Sequence, residues 1–398
     1  MTSDASPLFR PLELPCGAIL NNRVAKAAMS DSLGDGEGNP TQAQMRLYER
    51  WAKGGIGLSI IGEVQGGSEH AEKPGNLVLN DGSDTAALKE LTRRGTAGQA
   101  HLWAQLGHAG AMTDTSIGSR KGPTALDLPG LKCDALSAAE IAALPDTFAR
   151  TARTAREWGF TGVEVHAAHG FLLSQFLSPL FNRRSDAYGG SITNRMRLLM
   201  EVVEAVRGAV GPSFPVGVKL NATDQLEGGL APADSLETVA ALDGADIDLL
   251  DISGGTYFPG AQSASDAGGS GAYFLGFALA ARERTRVPLM VTGGFKTRAA
   301  ALAALSEGAA DVVGVARALV LDPNLPNHWR NGSGIDPVFP HFSDPPEGGI
   351  TAWYTMRLTE LGEERECGHV SLPEAVERYN ARDAERAVRW RTRFSEGS

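Results

Sequence analysis

Residues 162–195, GVEVHAAHGFLLSQFLSPLFNRRSDAYGGSITNR, carry the strongest structural signal in the chain. The apolar run Gly162–Val165 predicts a short buried strand, which leads into His166 and His169 and breaks at Gly170. Such a strand places two imidazoles at its carboxyl end. In parallel α/β proteins, ligands bind at that end of the strands. The stretch therefore predicts an α/β fold in which a histidine pair grips one oxygen of a substrate.

Short apolar runs alternate with longer helical patterns on both sides of this stretch. Eight such βα units fit in about 310 residues, which predicts a single (β/α)8 TIM barrel with long βα loops. A doubly wound sheet is the competing fold, weakened because no predicted strand leads into a G-x-G-x-x-G turn with a following acid. The strands are predicted at Val24–Met29, Gly57–Gly62, His101–Leu106, Gly162–His166, Val216–Leu220, Ile247–Ile252, Pro288–Thr292 and Asp311–Val315.

The domain boundaries follow from a Pro/Gly-rich connector after the eighth unit. Residues 1–349 are expected to form the barrel, and residues 350–398 a C-terminal helical extension that packs on the barrel or on a partner subunit. A homo-oligomer is compatible with such an extension. The βα loop 107–137 is long, and excess loop length on this side of a barrel usually serves a site. Substrate specificity is predicted in that loop and in segment 257–270.

Composition indicates a small-molecule partner. With 42% hydrophobic and 21% charged residues, the 398-residue chain resembles an ordinary globular protein. Its formal net charge of −10 argues against nucleic acid as the main partner. No secretory signal or membrane-spanning apolar run is visible, so a cytoplasmic location away from membranes is expected. Cys16, Cys133 and Cys367 form no C-x-x-C pair, which leaves no four-cysteine metal site and no disulfide framework.

Several other strand ends carry side chains suited to chemistry. Gln105 ends the third strand with an amide donor and acceptor. Lys219 interrupts the apolar fifth strand, where burial is costly unless the ammonium group meets an anion or an electron-rich group. Gly293 and Gly294 follow the seventh strand, and the run Gly314–Arg317 ends the eighth, where such barrels commonly bind phosphate. A planar, phosphorylated, electron-accepting cofactor would use this set of groups.

Each feature also has a simpler interpretation. The histidine pair could be structural, or it could supply two zinc ligands, although zinc needs a third. Lys219 could belong to an interior ion pair, and glycines are common in any tight βα turn. Convergence favours the cofactor site, because all these groups are predicted on one face of one barrel.

At this point the motifs resemble those of the Old Yellow Enzyme family of FMN-dependent ene-reductases, over roughly residues 8 to 330. The resemblance rests on the block Asn22–Met29, on Gln105 with the run 108–110, on the long block 166–195 and on the two glycine turns. It implies FMN at the barrel mouth, reduced by NADH or NADPH, and hydride transfer from flavin N5 to an activated alkene. His166 and His169 would hydrogen-bond the carbonyl or nitro oxygen of the substrate. The positions implied to contact FMN are Ala28, Met29, Ser30, Gly62, Glu63, Gln105, His166, Lys219, Gly293, Gly294, Gly314, Ala316 and Arg317.

Three positions depart from the family pattern. Phe171 stands where the family usually has a tyrosine that protonates the substrate, so the usual general acid is absent. Ser30 replaces a cysteine or threonine that tunes the flavin. Glu63 stands where a small or neutral residue is common and is expected to add negative charge near the flavin. Tyr257, just past the sixth strand, is the first candidate for a replacement proton donor.

The predicted function is therefore an FMN-dependent NAD(P)H oxidoreductase that reduces an activated alkene such as an enone or quinone. Three alternatives stay open at this stage. The flavin could take hydride from the substrate, as in the amine dehydrogenases or demethylases of the wider family, which need not use the tyrosine. The barrel could be a flavin-free lyase or isomerase with His166 and His169 as acid and base, or a non-catalytic flavin-binding protein.

Overall fold

The computed structural model describes residues 6–258, 261, 272–332, 335–366 and 370–395. Its centre is a closed barrel of eight parallel strands, in which the last strand pairs with the first, Gly314 beside Ala25. The predicted (β/α)8 TIM barrel is therefore confirmed. The strands are β1 (Val24–Lys26), β2 (Leu58–Gln65), β3 (His101–Leu106), β4 (Gly162–Ala167), β5 (Val216–Asn221), β6 (Leu249–Ser253), β7 (Leu289–Thr292) and β8 (Val312–Val315).

Helices surround the barrel and follow most strands, and their apolar faces cover its outside. Caps fix several helix starts: Thr41, Asp84 and Thr297 each accept a backbone N–H with the side chain, and Ser137 forms a full capping box with Glu140. The helices are α1 (Gln42–Lys53), α2 (Thr85–Gly95), α3 (Ala138–Glu157), α4 (Leu172–Leu177), α5 (Ile192–Arg195), α6 (Arg197–Val210), α7 (Pro232–Leu242), α8 (Leu275–Arg282), α9 (Arg298–Ser306), α10 (Arg317–Leu321), α11 (Leu325–Asn331), α12 (Gly349–Glu363) and α13 (Leu372–Ser395).

The interior of the barrel is divided into two halves along its axis. Near the amino ends of the strands, the inward side chains form a buried hydrophobic cluster, called here the apolar half. Towards the carboxyl ends the inward side chains become polar and form the polar half. Because side chains alternate along a strand, every second residue faces inward. The apolar half comprises Ala25, Leu58, Ile60, Trp103, Leu249, Met290 and Val312, and the polar half Gln105, Glu164, His166, Lys219, Asp251, Ser253 and Thr292.

Trp103 fills the centre of the apolar half and is fully buried. Two glycines on the adjoining strands leave room for its ring. A Cβ at Gly162 would lie 2.3 Å from the indole Nε1, and one at Gly217 would lie 3.0 Å from the ring. The contact at Gly162 is too close for any other residue, and the one at Gly217 would require the ring to shift slightly, so both glycines serve close packing.

The loop between β3 and α3 is more ordered than its composition indicates. It contains a small sheet of three short strands, Lys121–Gly122, Leu126–Leu128 and Leu131–Ala135. The last two pair as an antiparallel hairpin around a Pro-Gly turn, in which Gly130 has φ of 79°. Of the second predicted specificity segment, 257–270, only Tyr257, Phe258 and Ala261 lie within the described residues.

The two C-terminal helices, α12 and α13, lie against the barrel. α12 packs on α1. Trp390 of α13 is buried in a cluster with Ala71 and Val78, and Arg386 donates a hydrogen bond to the carbonyl oxygen of Ser32. The extension therefore contacts the loops that follow β1 and β2. In the described part of the chain, no helix is both long enough and apolar enough to span a membrane.

Candidate active site

The polar half of the barrel brings together side chains that the sequence predicted near the carboxyl ends of the strands. In the parallel pairing, Glu164 of β4 lies beside Gln105 of β3, and Lys219 of β5 lies beside both His166 of β4 and Asp251 of β6. All five side chains are buried. The barrel topology therefore concentrates an amide, an imidazole, an ammonium group and two carboxyl groups in one layer.

The two histidines converge at the top of this layer. His166 Nε2 lies 3.1 Å from His169 Nδ1, so two ring nitrogens face nearly the same point. The other nitrogen of each ring has its own partner. His166 Nδ1 contacts Glu63 Oε1, and His169 Nε2 lies 2.9 Å from the hydroxyl of Ser253. The pair is thus held from both outer sides, and the two inner nitrogens are hydrogen-bonded to each other.

The backbone of His169 is fixed in an uncommon conformation. Its φ is 60°, in the left-handed region that few non-glycine residues adopt. Two hydrogen bonds hold it: its N–H donates to Asn221 Oδ1 over 3.0 Å, and its carbonyl oxygen accepts from the N–H of Tyr257 over 3.1 Å. Asn221 is itself anchored by donation to Gly255 O and Asp224. The chain after β4 is therefore tied to the ends of β5 and β6.

Both imidazoles are neutral in this environment. Burial lowers the pKa of each well below its usual range, and the positive charge of Lys219 lowers both further. A neutral imidazole carries one N–H, so each ring must present either a donor or an acceptor to the mouth. If Glu63 donates to His166 Nδ1, His166 carries its hydrogen on Nε2 and donates it to His169 Nδ1. A bound oxygen atom that takes the place of this hydrogen bond can accept from His166, and from His169 as well when the Ser253 hydroxyl donates to His169 Nε2.

Glu63 is buried on β2, with 3% of its surface exposed. Burial raises the pKa of its carboxyl group to about 8. Its second oxygen, Oε2, lies 3.4 Å from the donating amide of Gln65. Burial therefore opposes the negative charge expected of Glu63 at the mouth, because the cost of desolvation favours the protonated acid.

Lys219 is fully buried, and anionic side chains lie beside its ammonium group, as the cost of burying a lysine predicts. Its ammonium group contacts Asp251 Oδ2 and lies 3.9 Å from Glu164 Oε1. Burial alone would lower the pKa of Lys219, but the two carboxylates outweigh it and raise that pKa. Gln105 donates to Glu164 Oε1 over 2.7 Å, and Thr292 donates to Asp251 Oδ1 over 2.7 Å. The lysine is thus both an interior ion pair and a cation placed below the mouth.

Ser30 lies at the rim, paired in a short β-bridge with Gly62. Its hydroxyl is buried but has no hydrogen-bond partner in the described part of the chain. One carboxyl oxygen of Glu164 and one of Glu72 are likewise buried without a hydrogen-bond partner in that part of the chain. Burial raises the pKa of Glu72 to about 7, an increase that Glu63 reinforces and that nearby Ser30 opposes. Buried polar atoms without protein partners indicate room for a polar ligand.

Two aromatic rings form the wall around the histidines. Phe171, 3% exposed, packs with its ring centroid 4.9 Å from that of His166. Tyr257 lies across the site, 5.8 Å from the ring of His169 and 6.0 Å from that of Phe171. The structure therefore brings the predicted replacement donor beside the histidines and leaves a hydrocarbon ring at the usual donor position.

The remaining predicted cofactor residues line the rim and the turns after β7 and β8. Ala28 and Met29 are half-buried beside Ser30. A Cβ on Gly62 would lie 2.8 Å from Gln105 Oε1, so the glycine allows close approach. Gly293 and Gly294 have φ of 117° and 83°, which favours glycine. Gly314 ends β8, and Ala316 precedes Arg317, whose guanidinium group lies 5.0 Å from the ring of Tyr354 in α12.

These groups fit a planar, phosphorylated cofactor. Gln105 and Lys219 offer polar contacts to a heterocycle, Ser30 has an unsatisfied hydroxyl, and Arg317 with the glycine turns suits a phosphate group. The structure also adds residues that the sequence analysis did not single out, among them Glu164, Asp251 and Ser253. Glu164 and Asp251 could have been found by the same signal as Lys219, a charge inside an apolar strand. Among the described residues, no cluster of histidine, cysteine and acidic groups is arranged to hold a metal ion.

Comparisons with known proteins identify the family of the chain. A family model described as the NADH:flavin oxidoreductase / NADH oxidase family matches residues 7–334. The NADH-dependent flavin oxidoreductase iliE of Hypocrea jecorina is 35% identical over 383 residues, covering 86% of this chain and 95% of that protein. NADPH dehydrogenase of Bacillus licheniformis is 31% identical over 325 residues, covering 80% of this chain and 92% of that protein.

Solved structures give the same result. Morphinone reductase in complex with tetrahydroNAD has a TM-score of 0.72 and 27% identity, over 84% of this chain and 93% of that one. A homologue of Old Yellow Enzyme from Zymomonas mobilis has a TM-score of 0.73 and 24% identity, over 87% of this chain and 98% of that one. The second likeness supports the fold alone.

Proposed function

We propose that this chain reduces activated alkenes. It belongs to the NADH:flavin oxidoreductase / NADH oxidase family, which includes the Old Yellow Enzyme proteins that its motifs resemble. It is an FMN-dependent oxidoreductase that uses NADH or NADPH. The flavin-free lyase or isomerase and the non-catalytic flavin protein are wrong for a member of this family. Two structural relatives, each 27% identical, are named as reductases, of morphinone and of 2-naphthoyl-CoA, which supports the reductive direction.

The observation that carries the proposal is the 3.1 Å separation of His166 Nε2 and His169 Nδ1. Two neutral donors that meet at one point suit a carbonyl or nitro oxygen better than a metal ion or a phosphate group. Hydrogen bonds to that oxygen draw electrons from the conjugated double bond. They also strengthen as negative charge develops on the oxygen, which is the logic of an oxyanion hole.

FMN would be held by the residues that line the mouth. Lys219 and Gln105 would contact the polar edge of the ring, Ser30 would use its unsatisfied hydroxyl, and Arg317 would bind the phosphate with the glycine turns. Backbone groups of Ala28, Met29, Gly62 and Glu63 would line the ring, together with His166. When bound, FMN supplies a hydride donor and acceptor at its N5 atom. The ion pair with Asp251 keeps Lys219 charged and in place for this role.

The chain's own groups then determine the outcome. His166 and His169 bind and orient the substrate oxygen, and Phe171 and Tyr257 pack against the hydrocarbon part of the substrate. Phe171, which is buried, keeps water from its side of the mouth, and this strengthens the hydrogen bonds to the oxygen. Specificity is assigned to the small sheet in loop 107–137, where cluster residues Leu126 and Leu131 pack near Phe258.

The test is anaerobic reduction of the purified yellow protein by NADH or NADPH, followed by mixing with a panel of enones, quinones and nitro compounds. We expect rapid reoxidation by at least one α,β-unsaturated carbonyl compound, with the saturated product in stoichiometric yield. Reoxidation by quinones alone, with no alkene reduced, would contradict the proposal.

A second candidate is the oxidative direction, with the flavin accepting hydride from an amine. Phe171 favours it, because this ring cannot donate a proton to an alkene, and an amine oxidation needs no such donor. The test is anaerobic bleaching of the oxidised flavin by primary and N-methyl amines. Bleaching by an amine, together with no turnover of alkenes, would favour this direction.

A further inference from the structure

The strongest unexplained feature of the mouth is a continuous chain of hydrogen-bonding groups that ends at the substrate position. Gln65 Nε2 donates to Glu63 Oε2 over 3.4 Å, and Glu63 Oε1 contacts His166 Nδ1. His166 Nε2 then faces the point shared with His169 Nδ1. Glu63 and His166 are each 3% exposed, so water has little access to the chain.

We propose that Glu63 and His166 form a proton relay that protonates the substrate oxygen, in place of the tyrosine that Phe171 replaces. The proposal rests on the reductive function proposed above. In this proposal His166 both hydrogen-bonds the substrate oxygen and donates a proton to it, and Glu63 is the source of that proton.

The geometry fixes the direction of the relay. Gln65 can only donate through its amide nitrogen, so Glu63 Oε2 is the accepting oxygen and the carboxyl proton belongs on Oε1. A proton on Oε1 is donated to His166 Nδ1. His166 must then carry its own hydrogen on Nε2, which faces the substrate. Until a substrate oxygen takes its place, His169 Nδ1 accepts the hydrogen of His166 Nε2 over 3.1 Å.

The proton transfer balances as follows. FMN, when bound, would supply a hydride to the β-carbon of the alkene, and the electron pair of the double bond would then lie on the carbonyl oxygen as an enolate. An O–H bond forms at that oxygen as the Nε2–H bond of His166 breaks. The Nδ1–H bond forms as the O–H bond of Glu63 breaks, leaving a carboxylate. The enol becomes the saturated ketone in water, and Glu63 regains a proton from solvent.

The charged groups around Glu63 are compatible with this role. Burial raises the pKa of Glu63 to about 8, which keeps the acid protonated at neutral pH yet able to release its proton. Lys219 stabilises the carboxylate once it forms, whereas Glu72 opposes it. The pKa of each histidine lies well below its usual range, so neither ring titrates in the same interval. Tyr257 is close enough for Glu63 to raise the pKa of its phenol.

The test compares Glu63→Gln with wild-type holoenzyme in anaerobic stopped-flow reoxidation by 2-cyclohexenone. A glutamine amide can still donate to His166 Nδ1 but cannot release a proton. We therefore expect reoxidation to slow by about 10²-fold, the usual value of general acid catalysis. Binding of 4-nitrophenol to the oxidised enzyme, read from its phenolate absorbance, should change by less than about threefold, because the substrate-facing donors remain. Glu63→Leu also removes the hydrogen-bond donor to His166 Nδ1, so it should lower both the reoxidation rate and the affinity for 4-nitrophenol.

Two further variants separate the relay from its rivals. Glu72→Gln neutralises a half-buried carboxyl group whose Oε2 has no hydrogen-bond partner in the described part of the chain. It should keep the wild-type reoxidation rate within about threefold. Tyr257→Phe removes the rival acidic hydroxyl but keeps the ring beside His169, and it should slow reoxidation much less than Glu63→Gln does. A loss at either variant as large as that of Glu63→Gln would overturn the relay.

The pH profile of the wild-type enzyme gives an independent result that requires no variant. Because the relay needs protonated Glu63, the reoxidation rate should fall as pH rises through about 8, and this fall should be absent from Glu63→Gln. An unchanged rate in Glu63→Gln, with wild type active on the enone, would overturn the relay alone. A wild-type enzyme that reduces no alkene would overturn the relay and the proposed function together.

Discussion

Trp103 and Lys219 both point into the same barrel and both are fully buried, yet opposite physical causes hold them. Trp103 belongs to the apolar half, where hydrophobic burial and close packing against Gly162 and Gly217 stabilise it. Lys219 belongs to the polar half, where only the contacts with Asp251 and Glu164 offset the cost of desolvation. The apolar half stabilises the fold, and the polar half uses some of that stability to concentrate charge at the mouth.

The difference arises over very short distances along each strand. On β4 the inward residues are Gly162, Glu164 and His166, and on β5 they include Gly217 and Lys219. A step of two residues, about 6.6 Å, changes a packing position into a charged one. Substitutions in the apolar half should therefore reduce stability and spare chemistry, and those in the polar half should reduce cofactor binding or chemistry.

Trp103→Ala should give the largest change in stability. Removal of a fully buried indole costs about 3–5 kcal/mol in unfolding free energy, because the cavity is only partly filled by relaxation. Urea denaturation of the FMN-bound protein measures this, and the alkene reduction rate per folded, FMN-bound molecule should stay near the wild-type value. Loss of chemistry without loss of stability would remove the division between the two halves.

Lys219→Met should have the next largest effect, now on the cofactor. It leaves Asp251 and Glu164 without their counter-charge, and we expect FMN affinity to fall by about 10²-fold, which corresponds to a little under 3 kcal/mol. Fluorescence titration of the apoprotein with FMN measures the affinity. Lys219→Arg, which keeps the charge, is the control and should retain most of it. Equal affinities for wild type and Lys219→Met would place the flavin away from this lysine.

Glu63→Gln should change the pH dependence of stability. The difference in melting temperature between wild type and the variant should shift by a few degrees across the pH range. The carboxyl group has a pKa of about 8 when folded and about 4.5 when unfolded, so the unfolded chain releases its proton first. Wild type should therefore lose stability relative to the variant as pH rises from about 4.5 to about 8, with no further change above that range. Thermal melts of the two proteins at a series of pH values test this. A constant difference across the range would mean that Glu63 ionises normally.

Tyr354→Leu should have the smallest effect. The Tyr354 ring lies under Arg317, and a cation–π contact of this kind is worth about 0.5–1 kcal/mol at a partly exposed site. FMN affinity should fall by less than about fivefold. Tyr379→Leu, on α13 and with its ring near Lys73 and Arg382, is the matched control. A loss of FMN affinity above tenfold would contradict the view that barrel residues, rather than the C-terminal helices, hold the cofactor.

Much of this division follows from local sequence. A charge or an amide inside an apolar run identifies Gln105 and Lys219 as inward-facing, and the same rule applies to Glu164 and Asp251. The contact between Glu63 and His166 could not be predicted, because the residues are 103 positions apart on strands that are not neighbours. The contact depends on closure of the barrel. The raised pKa of Glu63 follows from its burial, which the sequence does not measure.

The central claim is that the polar half ends in two histidines that grip the oxygen of an alkene substrate. Anaerobic reoxidation of reduced His169→Ala by 2-cyclohexenone tests it most directly, with reoxidation by dioxygen as the control reaction. The account predicts that the enone rate falls by about 10²–10³-fold, the value of one lost oxyanion donor, while the dioxygen rate stays near that of wild type. Equal enone rates in the variant and the wild type would contradict the claim.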